Sequence, residues 1–85
     1  MFSKKLYVVA TTTALRDVQI EDIYDGEVFT LNSILSGLRK RLKHMNIQVS
    51  IIGDNAYIDV INVDNELVRT YSIISKKTFV KKHIL

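Results

Sequence analysis

The 85-residue sequence contains no cysteine, no proline and no tryptophan, and only three glycines. Without cysteine there is no disulfide framework and no thiolate zinc site. That argues against an extracellular scaffold of this size and gives the expectation of an intracellular, cytoplasmic protein. Long apolar runs are missing too. The N-terminal MFSKKLYVVATTTAL has a charged start, but its apolar stretch LYVVA is too short for a signal-peptide core and far too short to span a bilayer. It reads as a strand, and no membrane partner is expected. A chain of this length holds one small domain, residues 1–85, with a modest core.

Recognisable catalytic patterns are equally scarce. No GxGxxG or GxxxxGK[ST] loop occurs, and Gly37 and Gly53 stand isolated, so no nucleotide-binding loop is expected. Neither His44 nor His83 has a second ligand three or four residues on, and a metal site needs three or four converging ligands. No metal or cofactor is therefore expected. Ser33, Ser36 and Thr11 to Thr13 have no base at a recognisable spacing, which leaves a nucleophilic hydrolase without support. Glu21 and Asp22 are adjacent and point in different directions, as in a solvated acidic loop, and Asp59 fits the outward side of a half-wet strand. The expectation is a protein that is not an enzyme and takes no small-molecule substrate.

What the sequence does contain is one strongly periodic stretch, Thr30 to Asn46. Leu31, Ile34, Leu35, Leu38, Leu42 and Met45 fall on one face of a helix with 3.6 residues per turn. Thr30 is a competent N-cap, Phe29 and Ile34 stand at hydrophobic-staple spacing, and Asn46 suits a left-handed C-cap. Arg39, Lys40, Arg41, Lys43 and His44 occupy the second half, where the carbonyl end of the helix dipole favours positive charge. Burial of each apolar side chain contributes roughly 1.5–3 kcal/mol, so the face requires a partner surface, for which a sheet is the natural candidate.

Strand patterns supply that sheet. Residues 5–13 are β-branched and aromatic, with a near-continuous apolar centre that suits an interior strand. Residues 17–29 fit two readings, a short strand or hairpin turning at Asp25-Gly26, or an acidic loop. From Ile47 to Ser75 three alternating runs separated by Gly53-Asp54-Asn55 and Asp64-Asn65-Glu66 read as an antiparallel meander. The tail KKTFVKKHIL can add a short strand or a helical turn, with Phe79, Val80, Ile84 and Leu85 to bury. The expected class is α+β: one antiparallel or mixed sheet of four or five strands with a single amphipathic helix on one face, in the order β(β)αβββ.

Two functional readings follow. Ile52, Tyr57, Ile61, Val63 and Tyr71 exceed what one helix can cover, so a second layer supplied by another subunit is expected, with Tyr57, Ile61, Val63 and Tyr71 at the interface. Charge also alternates in blocks. Asp17, Glu21, Asp22, Asp25 and Glu27 precede the helix cations, Asp54, Asp59, Asp64 and Glu66 follow them, and Arg69 with four lysines closes the chain. Such blocks steer partners, favour self-association between unlike patches, or simply neutralise one another. The main expectation is thus a small homo-oligomeric protein-interaction or regulatory module, of the viral-type accessory kind, that acts by occupying a macromolecular partner. The alternative is nucleic-acid binding through Arg39, Lys40, Arg41 and Lys43 together with Lys76, Lys77, Lys81 and Lys82. Two acidic blocks and the lack of an aromatic RNA-binding signature weigh against it.

Overall fold

Residues rich in Val, Ile, Thr and Tyr form five strands, and the computed structural model describes them within residues 5–13 and 15–83. Ile84 and Leu85, expected to help bury the tail, lie outside the described residues, as does the side chain of His83. The strands are β1 (Leu6–Thr13), β2 (Val18–Asp25), β3 (Asn46–Ile52), β4 (Asn55–Ile61) and β5 (Leu67–Ser75). They make a single sheet in the order β2-β1-β5-β4-β3, with every neighbouring pair antiparallel. The apolar β1 is interior, as its composition suggests, and the acidic stretch is a strand.

Helix α1 (Leu31–Arg41) crosses one face of the sheet. Its start is the one its sequence announces. The Thr30 hydroxyl accepts from the Ser33 N–H at 3.1 Å while Ser33 Oγ accepts from the Thr30 N–H at 3.0 Å, a reciprocal capping box. Its end comes earlier than the periodicity implies. Leu42 is the C-cap, Met45 is largely exposed, and Asn46 begins β3 where it opposes Ile61 of β4. Pairing with β4 competes with the last helical turn and prevails. Phe29 meets Tyr24 edge-on, with ring centroids 5.1 Å apart.

Cross-strand register sorts the sheet's side chains into two layers. Beneath α1 lie Tyr7, Val9, Ala56, Ile58, Val60, Tyr71 and Ile73, against Ile34, Leu35, Leu38 and Leu42 of the helix. The other layer holds Val8, Ala10 and Ile74, and it is covered by a second helix, α2 (Lys76–His83), whose Phe79 is buried there. The expected single helix is therefore corrected to two, in the order ββαβββα. Ser75 caps α2: its hydroxyl accepts from the Thr78 N–H at 3.2 Å and donates to Thr78 Oγ1 at 2.9 Å. A tail this short has little helical drive of its own, and the apolar sheet face it covers supplies it.

Two turns show why their residues are there. A Cβ on Gly26 would stand 2.8 Å from the Lys5 carbonyl oxygen, to which the Gly26 N–H donates at 2.7 Å. Only glycine allows that approach. In the β4–β5 turn, Asn62 Oδ1 accepts from the N–H groups of Asp64 and Glu66, at 3.0 and 2.9 Å, while Asn65 takes a left-handed φ of 63°.

Candidate functional site

Each of the sheet's two edge strands carries a set of exposed apolar residues beyond the cover of the helices. On β2 the register with β1 slips between Val9 and Ala10, so that Glu21 opposes no residue of β1. This bulge resets the strand's alternation. Val18 and Ile20 before it and Ile23 after it share the face turned away from α1, and they are 40%, 51% and 53% exposed. Asp17, Glu21 and Asp22 surround this row, exposed as well. Tyr24 on the opposite side has its hydroxyl pKa raised, first by burial and then by the Asp22 carboxylate. The strand is an apolar ridge in an acidic setting.

The other edge, β3, is built differently. Its seven residues, NIQVSII, carry no charge, and its register with β4 is regular throughout. Ile47 and Val49 lean half-buried on the α1 layer, Ile51 continues the same row at 55% exposure, and Gln48, Ser50 and Ile52 stand exposed on the reverse side. Charge appears only beyond its ends: Lys43 and His44 before it, Asp54 after it.

The residues expected at an interface are dispersed by the fold. Tyr71 pairs with Ile58 and Thr11 and is buried beneath α1, because it sits one residue out of phase with the face that holds Tyr57. It is a core residue. Tyr57 is half-buried under α2, with Lys82 Nζ 5.5 Å from its ring centre and 3.5 Å from its hydroxyl. The cover expected from another subunit is thus provided, at this position, by the chain's own tail. Ile61 is half-buried at the end of β4, and Val63 is fully exposed in the β4–β5 turn.

The basic residues divide into two sets. Arg39, Lys40 and Lys43 line a shallow groove of about 450 Å³ on the outside of α1 with Asn32, Leu35 and Ser36, and Arg41 is exposed on the same helix. Lys76, Lys77 and Lys81 line a larger cleft of about 1150 Å³ with Lys5, shared with Asp54 and Asn55 of the β3–β4 turn. Lys82 lies over Tyr57. The two sets stand on opposite sides of the sheet, separated by two layer spacings of roughly 10 Å each. One nucleic-acid strand cannot follow both without wrapping the molecule.

Asp59, in the middle of β4, is committed to local structure. Thr70 donates its hydroxyl proton to Asp59 Oδ1 at 2.9 Å across the β4–β5 pair, which ties down the mid-strand carboxylate. Among the described residues, no three His, Cys, Asp or Glu side chains come together as a metal site, and no helix is long and apolar enough to cross a membrane. His44 is exposed at the end of α1. Compared with protein-family models, with curated proteins and with solved structures, the chain matches none.

Proposed function

We propose that the protein is a small non-enzymatic interaction module, homo-oligomeric and cytoplasmic, that works by occupying a macromolecular partner. The observation that carries this reading is the placement of its exposed aliphatic side chains. Val18, Ile20 and Ile23 on β2 and Ile51 and Ile52 on β3 line both edges of one sheet, whose centre is covered by α1 on one face and α2 on the other. The remaining exposed aliphatic side chains among the described residues lie in loops or, as Leu67 and Val68, at the start of β5. Sheet edges with apolar flanks are surfaces that accept further strands or partner side chains. The carboxylates around the β2 row favour a protein partner carrying both apolar and basic side chains. Sedimentation equilibrium over a wide concentration range tests the oligomeric part. A mass that rises above that of one chain supports it, and a single-chain mass at every concentration overturns it.

A second reading, nucleic-acid binding, draws on the groove that Arg39, Lys40 and Lys43 share on α1. Titration of labelled mixed-sequence DNA and RNA at two salt concentrations separates the two. Three phosphate contacts from this groove would give a log–log salt slope of about −2 to −3. Loss of that binding in Arg39→Glu/Lys40→Glu/Lys43→Glu would establish it, and no binding at low salt would remove it.

A further inference from the structure

We propose that β3 pairs with β3 of a second copy, antiparallel about a two-fold axis at Val49, so that two five-stranded sheets join into one of ten strands. The inference rests on the self-association proposed above and names its surface and register.

Three features of the strand converge on this pairing. The first is that β3 lacks the devices that keep sheet edges apart. It has no charged residue, no proline and no bulge, and it runs for seven residues. The second is the match of side chains. With Val49 opposite Val49, Ile47 faces Ile51 of the other copy and Ile51 faces Ile47, which makes one continuous aliphatic row on the α1 side and covers an isoleucine that is 55% exposed in the single chain. On the reverse side Gln48 faces Ser50, amide against hydroxyl, and Asn46 faces Ile52 at the two ends. A slip of one residue would set Val49 against Ser50 and Gln48 against Ile51.

The third feature is the contrast with β2. Self-pairing of β2 would oppose Glu21 and Asp22 to a second set of carboxylates, and its bulge breaks the ladder.

Two double variants at exposed positions test the surface and the register together. Gln48→Lys/Ser50→Lys places lysine opposite lysine at both ends of the two-fold pair. Gln48→Lys/Ser50→Glu places lysine opposite glutamate at the same positions. Circular dichroism first verifies that both fold, which their exposed sites allow, and sedimentation equilibrium then reads their mass. The expected result is a wild-type dimer, a Lys/Lys variant whose dissociation constant is at least about a hundredfold higher, and a Lys/Glu variant that remains dimeric. A wild-type dimer that both variants leave intact would place self-association on another surface and overturn this inference alone. Dissociation of both variants would overturn the antiparallel register, and a wild-type protein that is monomeric throughout would overturn the self-association reading itself.

Discussion

The two edges of the sheet answer the same problem in opposite ways. Each is a strand of seven or eight residues with backbone donors and acceptors facing outward and exposed isoleucines beside them. On β2 the bulge at Glu21 and the neighbouring Asp17 and Asp22 make a second copy of the strand an unfavourable mate, while the apolar row stays available to a partner of different chemistry. On β3 no charge within the strand repels a second copy, and the ladder is regular. The difference teaches that an exposed aliphatic row does not by itself define a partner. Charge and ladder regularity around it select between self and non-self.

The comparison breaks most directly at β3. Replacing Gln48 and Ser50 by lysine should convert the edge into a β2-like one, with at least about a hundredfold weaker dimerisation read by sedimentation. The converse change is deletion of Glu21. It removes the unpaired residue and one carboxylate, leaves Val9 opposite Asp22 and Ala10 opposite Ile20, and turns β2 into a regular edge. In the Gln48→Lys/Ser50→Lys background, where β3 pairing is blocked, that deletion should restore concentration-dependent association. A variant that stays monomeric would mean that the remaining acidic residues suffice to guard β2.

A smaller effect separates the edges by packing. Val49 leans on the α1 layer, whereas Ile20 faces away from it. In the same monomeric background, Val49→Ala should cost about 1 kcal/mol in chemical denaturation and Ile20→Ala no more than about 0.5 kcal/mol. Equal losses would show that the β2 row is packed within the protomer. Smallest is the end charge. Asp54 shares its cleft with Lys5, Lys76, Lys77 and Lys81. Asp54→Asn leaves these lysines less neutralised and should weaken the wild-type dimer only a few-fold at low salt and leave it unchanged at high salt. An effect that persists at high salt would mean that Asp54 is buried in the pair.

Much of the fold was legible in local patterns, and its failures are instructive. The Thr30 cap, the apolar face of α1, the interior position of β1 and the β3–β4–β5 meander could all be read, since each depends on residues within a few positions of one another. The β2 row could not be read as one surface. A period of two from Val18 reaches Ile20, then Asp22 and Tyr24, and only the bulge brings Ile23 onto the same side. Tyr57 and Tyr71 looked equivalent, and the register put one under α2 and the other under α1. The basic clusters were legible as residues, but their separation by the sheet was not.

The sequence by itself determined where α1 begins, the turns of the β3–β4–β5 meander and the extended character of β1 and of the meander strands, because caps, glycine and asparagine turns and hydrophobic period act over a few residues. Residues 17–29, by contrast, stayed open between strand and loop. Tertiary structure alone decided where α1 stops, that the tail becomes α2, which tyrosine is core, and which two strands remain as edges. Those outcomes depend on pairing between segments far apart in the chain. There a shift of one residue exchanges the faces of a strand, and a helical turn yields to a ladder when the ladder satisfies the same backbone groups and buries more apolar surface.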